Sequence, residues 1–247
     1  MSAQHTRPQR QGGPPPGVLA VVFTVLFAGG IAVGTALAGG AVFPSPFGSP
    51  QEILAFFSGH HDAVRVSALL HFAASVPMAI YAATVSVRLR DLGIRAPGAT
   101  IALAGGLLAA GLLTLSALLE WALSRPAALT EPALVRVLHD LAFATGGVAH
   151  VVFLGLLVAG VAVPGLLAGL LPRPLAFAGL VIAAVAEIST LTLLVTEAAF
   201  LLPVARFTAL AWLIAAGFLL PRTRTRKTGS SRDRVTTSED REEEPVA

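Results

Sequence analysis

Residues 134–163 read LVRVLHDLAFATGGVAHVVFLGLLVAGVAV, and this stretch decides the fold class. From Leu141 to Val163 it holds 23 residues without an Asp, Glu, Lys or Arg. Wound as a helix, such a run covers the roughly 30 Å hydrocarbon core of a bilayer. Five further stretches share the pattern, at about 17–42, 63–87, 99–123, 175–201 and 203–220. A chain of this size could not bury six such segments around one water-soluble core.

Composition agrees, with 55% hydrophobic residues, 13% charged residues and a mean hydropathy of +0.77. Soluble domains carry about 25% charged residues. A length of 247 residues takes up six spans, short connections and two tails, leaving no room for a folded domain outside the membrane. The expectation is an all-α polytopic membrane bundle: a disordered N-terminal segment over 1–16, six transmembrane helices over 17–220, and a disordered tail over 221–247 that is basic and then acidic. Cysteine is absent, which excludes disulfides, thiolate metal sites and catalytic thiols. The Ala, Gly, Arg and Pro bias, with the single Lys227, points to a GC-rich bacterial genome.

Basic residues set the expected orientation, because positively charged flanks stay cytoplasmic during insertion. Arg7, Arg10, Arg88, Arg90, Arg95, Arg173, Arg222, Arg224, Arg226 and Lys227 fall on one side, ten in all, against Arg65, Arg125, Arg136 and Arg206 on the other. Both termini are thus expected in the cytoplasm of a bacterium, with the inner membrane as the location. Ala36-Leu37-Ala38 fits a signal-peptide cleavage site, but the apolar run before it is long for one, and Gly30, Gly34 and Ala38 form a small-residue face suited to close packing. An uncleaved first helix is the preferred reading. Small-residue helix faces also offer a route to a homo-oligomer.

In the first external loop, Ser49-Pro50-Gln51-Glu52 combines an N-cap serine, a proline at the first helical position and a capping-box glutamate. A short helix is predicted to follow, lying at the interface or over the bundle as a lid. His60, His61 and Asp62 come next, but three adjacent residues cannot converge on one ion from a regular helix, so no metal is expected there.

Ionisable groups inside a span are costly and face the bundle interior, a partner or a cavity. Ser67, His71 and Ser75 repeat every four residues in the second span. Glu120 closes the third, Arg136, His139 and Asp140 open the fourth, and His150 lies eleven residues past His139, nominally on the same face. Glu187 sits near mid-depth in the fifth span, Glu197 toward its end, and Arg206 begins the sixth. With Asp62 and Arg65, nearly all of these gather in the extracytoplasmic half. Two arrangements follow: an outward-facing polar cavity lined by His71, Glu120, Arg136, His139, Asp140, Glu197 and Arg206 with His150 and Glu187 at its floor, or an interhelical lock of arginine and carboxylate pairs.

The favoured function is binding or transport of a small solute, ion or lipid head group; a structural or assembly role is the alternative. A transporter would use His150 and Glu187 as relay, yet no polar path to the cytoplasmic face is visible. No Gly-x-Ser-x-Gly or His-Glu-x-x-His pattern occurs, so an intramembrane enzyme would draw on Glu120, His139, Asp140 and His150 alone. No cofactor is expected; a b-type haem held by His71 with His139 or His150 is the one alternative. Beyond the lipid bilayer and a small solute or lipid no partner is implied, and nucleic acid is not among them. From Leu138-His139-Asp140-Leu141 through Leu171-Pro172-Arg173-Pro174-Leu175-Ala176 to the basic end of the last span, the chain resembles uncharacterised multi-pass membrane proteins of actinobacteria. That resemblance implies a bacterial inner-membrane protein and brings no catalytic residues.

Overall fold

A computed structural model describes residues 13–223; residues 1–12 and 224–247, which include most of the expected N-terminal segment and tail, lie outside the described residues. The described chain is helical, without strands. Helices α1 (Pro16–Leu37), α2 (Pro50–Gly59), α3 (His61–Asp91) and α4 (Gly98–Leu123) are followed by α5 (Pro132–Phe143), a turn of π-helix over Ala144–Ala149, and α6 (His150–Leu167). Then come α7 (Arg173–Ile188), short 3-10 turns at Ser189–Leu193 and Thr196–Phe200, and α8 (Leu201–Leu219).

Six helical segments are long and apolar enough to cross a membrane: α1, α3, α4, the continuous Pro132–Leu167 helix, Arg173–Leu193 and Thr196–Leu219. They form a closed ring in chain order, each packed on its sequence neighbours, with α8 returning against α1. The Pro132–Leu167 segment is the most enclosed, 61% of its apolar window being buried against 33–44% for the others. Both termini of the described chain lie at one end of the bundle and α2 at the other. These are called here the terminal end and the α2 end.

Two boundaries differ from expectation. Helix α1 stops at Leu37 because Gly39 and Gly40 take left-handed φ values of 65° and 93°, and the Gly40 N–H reaches back to the Thr35 carbonyl at 2.9 Å. The fifth span leaves the α-helical path at Ser189, whose Oγ donates to the Ala186 carbonyl at 2.6 Å. Backbone hydrogen bonding by such short hydroxyl side chains competes with a regular helix.

The loop helix forms as the capping box dictates. Ser49 Oγ accepts from the Glu52 N–H and Glu52 Oε2 from the Ser49 N–H, each at 3.2 Å. Helix α2 buries Ile53, Phe56 and Phe57 against Val64, Leu123 and Val135, so it lies across the ends of α3, α4 and α5. His60 is engaged locally, its Nδ1 2.9 Å from the Phe56 carbonyl.

The terminal half is sealed by small residues. A methyl group on Gly105 would sit 2.6 Å from the Leu157 backbone nitrogen and one on Gly217 2.7 Å from that of Gly17. Small residues of this kind let backbones touch where lipid gives no hydrophobic drive to association. Tyr81, Met78, Leu157 and Leu213 fill the core between them.

Candidate functional site

In the α2 half the helices part around a cavity of about 360 Å³, lined by α1, α3, α4, the α5–π segment, α8 and the loop at Val42 and Phe43. Its ionisable lining consists of His71, Glu120 and Arg206. His71 is brought there by the Ser67-His71-Ser75 stripe, all buried on the α1 and α4 side of α3. Gly30 makes the room, since a Cβ there would stand 2.7 Å from the His71 ring. The neighbouring hydroxyls are occupied: Ser67 Oγ donates to the Gly30 carbonyl at 2.9 Å and Thr114 Oγ1 to Ser75 Oγ at 2.8 Å.

His71 Nδ1 and Glu120 Oε2 meet at 2.9 Å, with side chains only 10% and 15% exposed. Among the described residues this is the one ion-pair contact between different helices. Arg206, by contrast, has no carboxylate at pairing distance. Its Nη2 donates to the Gly146 carbonyl and, more distantly at 3.5 Å, to that of Gly147, and its guanidinium lies 5.2 Å from the Phe27 ring centre. The π turn explains the carbonyls. A wider turn replaces regular i to i−4 bonding, and such turns occur often at functional sites. Gly146 also lets α4 approach, with Ser116 Oγ donating to the Ala142 carbonyl at 2.9 Å. Arg206 Nε and His71 Nε2 are buried without a hydrogen-bond partner.

The remaining sequence candidates lie elsewhere. His150 sits one side chain behind the wall, with Nδ1 2.9 Å from the Ala109 carbonyl and its ring stacked on Phe27 at 6.4 Å; Phe27 also stacks on His71 at 5.1 Å. The π turn between His139 and His150 breaks the 100° per residue count that put them on one face. His139 packs edge-on against Phe57 of α2 at 5.4 Å instead. Arg136 and Asp140 pair within α5 at 2.9 Å, and Arg136 reaches the loop carbonyls of Gly48 at 3.1 Å and Pro46 at 2.7 Å. They clamp the loop and do not line the cavity.

Glu187 and Glu197 are corrected outright. Both are exposed on the outside of the bundle, neither lines the cavity, and so neither forms its floor. Helix α7 buries Ala176, Gly179, Ala183 and Ala186. Glu187 is one residue, or about 100°, beyond that face. The expected lock of arginine and carboxylate pairs between helices is not formed among the described residues: Arg65–Asp62 and Arg136–Asp140 are pairs within one helix. Sequence reasoning also missed Phe27, Phe207 and the Gly146 and Gly147 carbonyls. The signal available was the Thr145-Gly146-Gly147 break in an otherwise bulky span. Among the described residues no three histidine or acidic side chains are grouped to hold a metal ion.

No family model, curated protein or solved structure matches this chain. The chemistry of the site is therefore read from its own side chains. It offers one guanidinium held by neutral carbonyls, a histidine–carboxylate pair whose His71 Nε2 has no partner, and a mostly aromatic and aliphatic wall.

Proposed function

We propose that this is a bacterial inner-membrane protein whose cavity binds a small anionic group, either a solute or a lipid head group, from the extracytoplasmic side. The observation that carries this reading is Arg206: a cation in a membrane-spanning helix, lining a cavity, hydrogen-bonded only to neutral carbonyls, with Glu120 near enough to act on its charge through space but not to pair with it. An unpaired charge in that setting is costly, and an anion in the cavity would compensate it. Glu120 spends its close contact on His71, and Arg206 Nε is left without a hydrogen-bond partner. The arginines of the connections α3–α4 and α6–α7 support cytoplasmic termini, which puts the α2 end outside.

Binding is favoured over transport because the small-residue seams and the Tyr81-centred core close the terminal half. The test is thermal stabilisation of the detergent-purified protein by sulfate, phosphate and carboxylates. The wild-type protein should be stabilised by at least one of these anions, and Arg206→Gln should weaken the apparent affinity about tenfold or more. Arg206→Lys should fall between them. Equal stabilisation of wild-type and Arg206→Gln proteins by every anion tried would end the reading.

A further inference from the structure

We infer that the occupant is an anionic amphiphile drawn from the surrounding leaflet, its head group at Arg206 and its chain leaving sideways between α1 and α8. This rests on the anion reading above and adds where the ligand comes from. The rim of the cavity carries the first argument. Its exposed lining residues include Ile31 on α1, 41% exposed, and Phe207 on α8, 49% exposed, with Pro203 beside them. These are positions within spans, so the opening faces lipid.

The two helices are arranged to leave that opening. They touch backbone to backbone near the terminal end, at Gly17 and Gly217. Farther along, Phe27 and Phe207 stand between them with ring centres 6.5 Å apart. The way in along the membrane normal is roofed by comparison. Phe43 lines the cavity from the loop and packs on Phe56 and Phe57 at 5.1 and 6.0 Å, and Arg136 ties down the carbonyls of Pro46 and Gly48, while Val42 beside them is 73% exposed.

The cavity is amphipathic, with few polar groups in a mostly apolar wall. Arg206, Glu120 and His71 supply the charge, while Ser67 and Ser116 donate their hydroxyl hydrogens to backbone carbonyls. Phe27, Ile31, Leu113, Leu202 and Phe207 are among its apolar lining. A wholly polar ion would leave that wall without a complement; a head group with its first methylenes would fill both parts. The volume of about 360 Å³ is at the small end of ligand sites, which run from about 300 to 1,000 Å³. It holds a head group and the start of a chain, with the remainder in the leaflet.

The experiment is native mass spectrometry of the full-length protein titrated in detergent with phosphatidylglycerol, phosphatidylcholine or water-soluble glycerol 3-phosphate. Phosphatidylglycerol should be retained about tenfold more strongly than either of the others, and Arg206→Gln should lose that preference. Ile31→Trp, at the lipid-facing rim, should reduce phosphatidylglycerol retention more than it reduces glycerol 3-phosphate binding. Val181→Trp, on the lipid face of α7, is the control and should change neither. Glycerol 3-phosphate binding as tightly as phosphatidylglycerol, or full lipid retention by Ile31→Trp, would overturn lateral entry and leave the anion site standing. Undiminished phosphatidylglycerol retention by Arg206→Gln would overturn both.

Discussion

The two halves of the bundle use glycine in opposite ways. In the terminal half three glycines face the backbone of a neighbouring helix, Gly105 that of Leu157, Gly160 that of Ala102 and Gly217 that of Gly17, while Gly17 and Gly179 meet the rings of Phe218 and Trp212. In the α2 half a glycine faces a polar side chain: Gly30 meets the His71 ring, Gly34 the Ser67 hydroxyl and Gly146 the Ser116 hydroxyl. The first use brings helices together and removes space. The second makes room for a hydrogen-bonding group between helices, and on α1, α3, α4 and the π turn it accompanies a cavity. One residue type thus serves closure at one end and an accommodating polar layer at the other.

Substitutions that exchange these roles test the comparison. The largest effect is expected from His71→Leu, which leaves the Glu120 carboxylate buried and unpaired. Breaking a buried pair in this way costs about 3 kcal/mol, to be read as a fall in thermal midpoint together with altered ligand stabilisation. Gly160→Ala drives a methyl group into the Ala102 backbone and should cost about 2 kcal/mol by overpacking. Its distinguishing outcome is unchanged anion affinity in the protein that still folds, because the seam lies away from the cavity. A loss of binding in Gly160→Ala equal to that in His71→Leu would show that the two halves are not separate.

The smallest effect should come from Ser116→Ala, which removes one hydroxyl contact between α4 and α5. Hydrogen bonds between membrane helices are worth about 0.6 kcal/mol, so a barely resolved change in thermal midpoint is expected. A much larger fall would mean that the Ser116–Ala142 bond holds the π turn in place, and with it the Gly146 carbonyl that Arg206 uses.

Depth along each helix was legible in the sequence, but the direction of each side chain was read less well. Six spans, the Ser49–Glu52 capping box, the Ser67-His71-Ser75 stripe and the placement of Glu120 and Arg206 on one level, with His71 a little deeper, follow from hydropathy and spacing. Glu187 was assigned by depth, although the Ala176, Gly179, Ala183 and Ala186 spacing marks the packed face of α7 and leaves the glutamate outside it. His139 and His150 were aligned by a regular helical count that one π turn invalidates. Arg136 and Asp140 look like members of a polar cluster until their partners are seen, which are each other and the loop backbone.

By itself, then, the sequence determined that this chain forms six apolar helices and which ionisable groups lie at the level of the α2 end, because both follow from the local cost of placing each residue in hydrocarbon. Only the tertiary structure decided which of those groups share a space. That depends on the rotation of each helix, on the turn of π-helix at Gly146 and Gly147, and on the separation of α1 from α8, all set by contacts between residues far apart in the chain.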